Sequence, residues 1–349
     1  MIIKFLIFFV YTFIFSLLMH RYFVIRAERY KIKKVNTSAE RWSSQSKPIL
    51  GGITFYATFI FAIFNYSFFF GIDNLLNAQI FGTIVVITMA FLMGLADDML
   101  NTPPGFKFIF QFLSGIILIY TGIFINIFDN NWLNYLLTIF WVVGIMNSVN
   151  MLDNMDAITT SVSSTILLGA IFILYITQPF SGVFLFIAIG GLAGLLSFLY
   201  YNWNPSKMYM GDNGSQFLGA LLAIIGIQVF WNGVEMPDHS TLYPFLIVFM
   251  AFIIPITDTT TVTVNRLLRK QSPFVGGRDH TTHHLSYLGL HEKTIARLLL
   301  SINLIFVAFS IFIILFPQKI FFPVWIIGIL ALFVMILLYV NTKISKPEK

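Results

Sequence analysis

Four polar side chains recur at intervals of three residues where a long apolar run ends. They are Asn147, Asn150, Asp153 and Asp156, in "NSVNMLDNMDAIT" (147–159). On one helix such a row rotates by about 60° per step, so Asn150 with Asp153 and Asp153 with Asp156 are the pairs that can act together. Their oxygens suit a divalent cation; a capped helix end, with Asp156 starting the next helix, is the alternative interpretation.

A second stretch, "GLADDMLNTPPGFKFIFQF" (94–112), holds adjacent carboxylates. Asp97 and Asp98 diverge by about 100° on a helix, so they cannot act as a simple dyad unless a cation or a helix end gathers them. Repulsion between two poorly solvated carboxylates favours a divalent ion, although a solvated helix terminus would also explain them. Lys107 and Gln111, four residues apart, point a polar stripe towards the same end.

Two further stretches carry turn residues beside polar ones. In "YYNWNPSKMYMGDNGSQFLG" (200–219), Asn202 precedes a turn and Asp212 opens a helix, where free amides suit phosphate and a carboxylate can hold a metal. An ordinary helix cap remains the alternative. In "SKPILGGITF" (46–55), Lys47 supplies a cation and Gly51-Gly52 permits close backbone approach, unless this is an ordinary loop.

The last stretch, "SPFVGGRDHTTHHLSYLGL" (272–290), follows Asp258 and Arg266 and lies in the one long loop, about 263–294. It clusters four cationic or titratable side chains within seven residues: Arg278, His280, His283 and His284. Zinc is a weak option because no carboxylate cluster accompanies them. Phosphate clamping beside a carboxylate-held Mg²⁺ is more natural; a generic histidine-rich loop is the alternative.

Together, the five stretches combine carboxylates for Mg²⁺ or Mn²⁺ with cations for phosphate. Phosphoryl transfer requires this combination because its catalysis is mostly positioning and charge neutralisation. Ionisable groups near membrane depth are by default functional.

The elements that must position these groups are membrane helices. Of the 349 residues 58% are hydrophobic and 10% charged, against roughly 25% charged in an average soluble domain. The sequence predicts an all-α polytopic membrane protein of eleven spans, at about 2–19, 49–70, 79–96, 107–127, 132–149, 158–176, 182–200, 216–232, 242–262, 295–315 and 321–341. The first span is expected to be a retained helix rather than a signal peptide.

Charge distribution predicts the orientation. All basic residues except Lys4 and Lys319 fall on one side of the predicted spans, and that side also carries the five stretches. By the positive-inside rule it is cytoplasmic, with the N-terminus outside and the C-terminus inside. Without any soluble domain, residues 1–349 form one membrane domain, and one of two substrates meeting there is expected to be a lipid. The absence of Cys excludes disulfides and thiolate chemistry.

The chain resembles the polyprenyl-phosphate N-acetylhexosamine-1-phosphate transferases, a family that includes the phospho-MurNAc-pentapeptide translocase. The resemblance rests on five stretches that follow the family's order from end to end: "KPILGG", "GLADDML", "NSVNMLDNMDAIT", "NWNPSKMYMGDNGS" and "SPFVGGRDHTTHHL". It implies that a polyprenyl phosphate, here undecaprenyl phosphate, attacks the β-phosphorus of a UDP-amino sugar at the bacterial inner membrane. UMP leaves, and the polyprenyl-diphosphate sugar starts a cell-envelope glycan. Eleven spans fit the N-acetylglucosamine branch, and the family suggests a homodimer.

The resemblance also implies residue roles. Asp212 looks like the Mg²⁺ ligand, with Asp153 beside it; Mn²⁺ is a possible substitute. Asp97 looks like the catalytic group that deprotonates or orients the lipid phosphate, and Asp98 helps placement. Substrate-binding positions carried over are Lys47, Lys107, Asn150, Asp153, Asp156, Asn202, Arg278, His280, His283 and His284. Direct displacement and an aspartyl-phosphate intermediate both remain open.

Two departures from the family's pattern stand out. The usual Asp-Gly-x-Asp-Gly reads Asp153-Asn154-Met155-Asp156-Ala157, with both glycines replaced, which affects any nucleotide contact made through this backbone. The histidine motif reads His-Thr-Thr-His-His rather than His-x-His-His, so individual histidine roles stay open.

Three other classes compete with this interpretation. A transporter or lipid flippase would place its polar groups near mid-membrane in related halves, whereas these gather at one face. A membrane scaffold leaves the carboxylates unexplained. A CDP-alcohol phosphotransferase would need one compact acidic motif, which the sequence lacks.

Overall fold

The computed structural model describes residues 2–29, 47–70, 77–177, 182–233, 241–273, 276–316 and 323–345. Thirteen α-helices make up these ranges: α1 (Ile2–Arg29), α2 (Gly51–Phe70), α3 (Ala78–Leu100), α4 (Pro104–Tyr120), α5 (Asn131–Leu152), α6 (Ile158–Thr177), α7 (Val183–Asn202), α8 (Gly211–Ile225), α9 (Leu242–Ala251), α10 (Ile253–Leu268), α11 (Thr281–Tyr287), α12 (Glu292–Leu315) and α13 (Pro323–Ile344). A π-helical turn, Gly226–Trp231, continues α8. The orientation prediction also counted basic residues that lie outside the described ranges, among them Lys31, Lys33, Lys34 and Arg41.

The protein is an all-α, multi-pass membrane protein, as predicted. Nine of the described helices are long and apolar enough to cross a bilayer, and a bent pair makes a tenth candidate. The helix α4 is apolar but has only 17 residues. Every predicted span overlaps at least one helix, and α1 runs ten residues past the predicted end at 19. Many large apolar side chains of α13 are exposed, as expected for a helix surrounded by lipid.

The predicted ninth span, 242–262, is not one straight helix. It is divided between α9 and α10, which meet at 89° around Phe252. Pro255 lies in the first turn of α10, where a missing N–H costs little, but in a continuous helix its ring would clash with the carbonyl of Ala251. The break therefore turns α10, with Asp258 and Arg266, away from the direction of α9.

The helix α8 forms the centre of the bundle. It packs against α3, α5 and α2. In the most apolar stretch of 18 residues within Gly211–Trp231, 94% is buried, whereas the figure for the peripheral α13 is 22%. Backbones approach closely there: a Cβ on Gly52 would lie 2.2 Å from the Gly214 nitrogen, and one on Gly94 would lie 2.3 Å from the Asp212 oxygen. The close approach predicted for Gly51-Gly52 is confirmed. These contacts fix the start of α8 between α2 and α3.

Candidate active site

A cavity of about 610 Å³ opens where α3 and α5 end and α4 and α8 begin. Its walls also include the end of α10 and the segment before α11. The lining residues are Asp97, Asn101, Thr102, Pro103, Pro104, Lys107, Phe108, Gln111, Asn147, Asn150, Met151, Asp153, Asn154, Asp212, Arg266, Pro273, Gly276, Gly277 and His280. The structure thus gathers residues from four of the five stretches around one polar space.

A tight connection between α3 and α4 brings Lys107 back to Asp97. Asn101 ends α3 in the left-handed conformation, φ 52°, and Pro104 occupies the first turn of α4, where proline is tolerated. The hydroxyl and N–H of Thr102 donate to Asp97 Oδ1 at 2.6 and 2.9 Å. Asp97 is buried, and its carboxylate forms an ion pair with the Lys107 ammonium.

Lys107 also lies beside Asp212, so one ammonium stands between two carboxylates. Its Nζ is 3.4 Å from Asp212 Oδ2, while Asn150 donates from Nδ2 to Asp212 Oδ1 at 3.0 Å. The same Asn150 amide lies 2.8 Å from the Ser215 hydroxyl. Four helices, α3, α4, α5 and α8, contribute to this group, which we call the carboxylate–lysine cluster (Asp97, Lys107, Asn150 and Asp212). Ionisable groups of both signs gathered in a cleft, one of them buried, are candidates for a functional site.

Asp98 faces away from the cavity and binds the start of α8. Its two oxygens accept the backbone N–H groups of Asp212 at 3.1 Å and Asn213 at 3.0 Å. These amides are the donors that could have bound phosphate, so this helix start is occupied by a protein carboxylate. Asp98, which the family resemblance places among the catalytic residues as an aid to placement, lies outside the cavity lining and contacts the backbone next to Asp212.

A layer of amides lies one helical turn deeper than the cluster. Asn147 donates to Gln111 Oε1 at 2.7 Å, and Gln111 donates to Gln216 Oε1 at 3.2 Å. Gln111 and Gln216 follow Lys107 and Asp212 by four residues, and Asn147 precedes Asn150 by three. The polar stripe predicted for α4 is therefore confirmed, whereas the partner Gln216 had no distinguishing signal beyond being polar in an apolar span.

The turn between α5 and α6 separates Asp153 from Asp156. Asp153 ends α5 and lines the cavity. Asp156 is buried elsewhere: its carboxylate accepts from the Ser206 N–H at 3.0 Å and from the Ser206 hydroxyl at 2.7 Å, and it lies 3.6 Å from Lys47 Nζ. The structure does not bring Asp156 or Lys47 into the cavity wall; both hold the 203–207 turn.

Asn202 likewise supports a turn instead of lining the cavity. Its Oδ1 accepts from the Ala157 N–H at 3.0 Å and from the Thr160 hydroxyl at 3.1 Å, and its Nδ2 donates to the Met208 carbonyl at 3.1 Å. Ala157 is left-handed, with φ 66°, at the position where the family's pattern has glycine. Ala157 therefore adopts a backbone conformation that disfavours any side chain, although the residue in this position was not expected to need it.

The histidine stretch is anchored to α10. His280 Nδ1 lies 2.8 Å from Asp258 Oδ2, and Asp258 Oδ1 accepts the N–H and the hydroxyl of Thr281 at 2.8 and 2.7 Å. Arg266 donates to both oxygens of Asp279 at 3.0 and 2.7 Å. Burial raises the pKa of Asp279, but the hydrogen bonds and charge of Arg266 outweigh it and lower that pKa to about 2.

The predicted cationic residues of this stretch divide into two groups. His280 lines the cavity together with Arg266, which the sequence had singled out without a role. His283 is buried, and His284 bonds to Ser345 Oγ of the last helical turn at 2.8 Å. Burial lowers the pKa of His283 to about 3, with the neighbouring His280 adding to the effect. Arg278 is exposed and outside the lining.

The second concave surface is an apolar groove of about 320 Å³ on α5, α9, α10 and the π-helical turn. Its lining residues are Leu137, Phe140, Trp141, Gly144, Ile145, Ser148, Trp231, Phe245, Val248, Phe249, Ile256, Thr259 and Thr260. The helices α5 and α10 line both the groove and the polar cavity. An amphiphile could therefore place its chain and its headgroup along the same two helices.

The protein is a multi-pass helical membrane protein whose polar cavity holds the carboxylate–lysine cluster. Such a site is suited to transfer chemistry on a phosphorylated lipid. The sequence model of the glycosyl transferase family 4 matches residues 80–230, which include the whole carboxylate–lysine cluster. Over these residues the chain is similar to that family of transferases.

Similar proteins extend the match. The chain is 26% identical over 311 residues to a protein of Bacillus subtilis (strain 168) named probable undecaprenyl-phosphate N-acetylglucosaminyl 1-phosphate transferase, covering 86% of this chain and 82% of that one. It is 30% identical over 222 residues to the phospho-N-acetylmuramoyl-pentapeptide-transferase of Streptococcus equi subsp. equi (strain 4047), covering 57% of this chain and 66% of the other. The corresponding Chlamydia muridarum protein is 30% identical over 191 residues, 52% of each chain.

Proposed function

We propose that this protein transfers a sugar-1-phosphate, foremost N-acetylglucosamine-1-phosphate, from a UDP-sugar to undecaprenyl phosphate. UMP is released, and the polyprenyl-diphosphate sugar begins a cell-envelope glycan. The observation that carries the proposal is Lys107 between Asp97 and Asp212, in a cavity that shares two helices with an apolar groove. The Bacillus subtilis relative, matched over most of its length, supports the same reaction.

In the reaction, an oxygen of the acceptor phosphate forms a bond to the β-phosphorus of the donor. The bond from that phosphorus to the bridging oxygen breaks, and UMP leaves with the electron pair. Asp97, held by Thr102 and Lys107, receives the acceptor's proton or orients its phosphate. Lys107 and Arg266 neutralise phosphate charge from two sides of the cavity. A covalent route would use an aspartate as nucleophile, and trapping of a phospho-enzyme without acceptor would distinguish it.

A Mg²⁺ ion, or Mn²⁺ in its place, fits the donor set of the cavity. Within the described ranges no three His, Asp or Glu side chains form a ready metal site. Mg²⁺ in transferases, however, is often held by one or two carboxylates together with substrate phosphates and water. Asp212 and Asp153 both line the cavity. The Lys107 ammonium lies beside Asp212, in a position where positive charge is stabilised. When bound, the ion would supply charge neutralisation on the diphosphate.

We assign the apolar groove to the first part of the acceptor's polyprenyl chain. Thr259, Thr260 and Ser148 lie among its apolar residues, in the direction of the cavity along α5 and α10. The donor would enter from water and bind near Asn150, Asp153 and His280.

The orientation follows from the same proposal. UDP-sugars are made in the cytoplasm, so the cavity faces the cytoplasm of the bacterial inner membrane, with the N-terminus outside and the C-terminus inside. Counting α4 and the bent pair gives eleven spans in one domain, 1–349. A homodimer is proposed from the family resemblance alone.

Purified protein in lipid nanodiscs, with undecaprenyl phosphate and Mg²⁺, should release UMP from one member of a panel of UDP-sugars. Asp212→Asn should lower kcat by at least about 100-fold, since several kcal/mol of charge stabilisation would be lost. Asp129→Asn, in an exposed loop, is the matched control and should retain wild-type turnover. No UMP from any UDP-sugar, or full activity of Asp212→Asn, would contradict the proposal.

A further inference from the structure

The two departures from the family's motif pattern are in contact with each other. Asn154 replaces the first glycine of the Asp-Gly-x-Asp-Gly pattern, and Thr282 belongs to the lengthened His-Thr-Thr-His-His run. The Thr282 hydroxyl donates to Asn154 Oδ1 at 2.7 Å. Both side chains are buried, with exposed fractions of 8% for Asn154 and 0% for Thr282. A glycine at 154 has no side chain, so it could not make this bond.

The Asn154 amide is held in one orientation. Its Nδ2 donates to the Met151 carbonyl at 3.0 Å, in the last turn of α5, which directs Oδ1 towards Thr282. Because the Met151 carbonyl can only accept, the amide must turn Nδ2 towards it and therefore presents Oδ1, an acceptor, to the Thr282 hydroxyl. The side chain at 154 is therefore set to receive a hydroxyl from α11.

The bond joins two segments that both contribute to the wall of the polar cavity. Asn154 lines the cavity from the α5–α6 turn, and His280 lines it from the start of α11. The other anchors of this helix start, Asp258 to His280 and Thr281, lead back to α10. The Asn154–Thr282 bond instead connects α11 to the turn that carries Asp153.

We propose that Asn154 and Thr282 form a positioning pair that sets the distance between Asp153 and His280 and thereby shapes the donor end of the cavity. This inference depends on the proposed function for its substrate, a nucleoside diphosphate sugar. Neither side chain reacts with the substrate. The pair acts by holding the two segments at the separation that the donor requires.

Steady-state kinetics on the full-length protein test the pair. Thr282→Val keeps the shape of the side chain but removes the hydroxyl, and Asn154→Gly restores the family residue. A buried neutral hydrogen bond contributes about 0.5–1.5 kcal/mol, so each variant should raise KM for the UDP-sugar by about 2- to 13-fold. The acceptor KM should stay unchanged, and kcat should change less than the donor KM.

Three further results decide between positioning and simple stability. Thr282→Ser, which keeps the hydroxyl, should restore the donor KM. The double variant should be no worse than the worse single variant, since both remove one bond. Additive effects, equal rises in both substrates' KM, or a lower unfolding midpoint with unchanged kinetics would overturn the proposal.

A measurement without turnover separates this inference from the proposed reaction. Because the chain has no Cys, the double variant Asn154→Cys/Thr282→Cys can be treated with a short bifunctional thiol reagent and digested for mass spectrometry. Cross-linked peptides are expected in high yield. The mismatched control combines Asn154→Cys with Ser67→Cys, because Ser67 lies near the C-terminal end of α2. Equal yields for the two pairs would contradict the geometry even if the enzyme releases UMP as proposed.

Discussion

The backbone N–H of Asp212 donates to Oδ1 of Asp98 at 3.1 Å, so a carboxylate on α3 caps the helix α8. Helix caps supplied by the preceding residue are common, whereas this one comes from 114 residues away. Because Asp98 follows Asp97 in α3, this cap holds Asp212 next to Asp97, the other carboxylate of the carboxylate–lysine cluster.

Replacing Asp98 by Ala should therefore lower both stability and kcat. Loss of an N-cap costs about 0.5–2 kcal/mol of unfolding free energy, and the freed start of α8 would let Asp212 shift. Asp98→Asn keeps an acceptor and should be affected less in stability. Thermal unfolding in detergent, measured beside kcat, tests this; an Asp98→Ala protein with wild-type stability and no turnover would indicate direct catalysis by Asp98.

Gly94→Ala should disrupt the cluster, although Gly94 lies outside the cavity lining. An added Cβ would lie 2.3 Å from the Asp212 carbonyl oxygen, and backbone cannot yield as a flexible side chain can. We expect a lowered unfolding midpoint and loss of most activity. Gly105→Ala is the matched control within α4, because a Cβ there meets nothing within 4 Å. Equal behaviour of the two variants would refute the packing argument.

Ala157→Gly should stabilise the protein. A left-handed backbone conformation costs a non-glycine residue roughly 1–2 kcal/mol. Glycine avoids this cost, but the greater backbone entropy of its unfolded state offsets about 0.4–1 kcal/mol of the gain. The net gain is then between zero and about 1.6 kcal/mol, measured as a raised unfolding midpoint. Ala220→Gly, within the helix α8, should lose about 1 kcal/mol or more. Destabilisation by both substitutions would show that Ala157 carries no strain.

The docking of α11 should weaken as the pH falls below about 6.5. The pKa of His283 is about 3 in the folded protein, against 6.5 for a solvated histidine, so undocked protein takes up a proton across this window. The Asp279–Arg266 pair loses its contribution only below pH 3.8, as the pH approaches 2.

Hydrogen exchange of residues 281–287 at pH 7.5 and pH 5, corrected for intrinsic rates, measures this dependence. His283→Gln should flatten it, because glutamine does not titrate. An unchanged pH dependence in this variant would assign the effect to another group.

Much of the architecture was predictable because the bilayer constrains it: a span must be apolar, long enough and helical. The i, i+4 stripe of Lys107 and Gln111 was equally accessible, since it lies inside one regular helix. Periodicity failed where the helix ended. Asp153 and Asp156 look equivalent in sequence, but a non-helical turn separates them, and only Asp153 lines the cavity.

Long-range partners were beyond sequence reasoning for a different reason. Nothing local to Asp98 specifies the amides of α8, and nothing local to Asn154 specifies Thr282. The break at Phe252 did have a signal, because Pro255 falls inside the predicted span and proline ends or starts helices.

The size of the apolar groove has a consequence for which acceptors can be used. A space of about 320 Å³ accommodates only a short stretch of a long isoprenoid, so the remainder must lie among the membrane lipids. The protein would then recognise the isoprene units next to the phosphate and be indifferent to how many follow. Acceptors of different chain lengths should compete on nearly equal terms, provided that each is long enough to fill the groove.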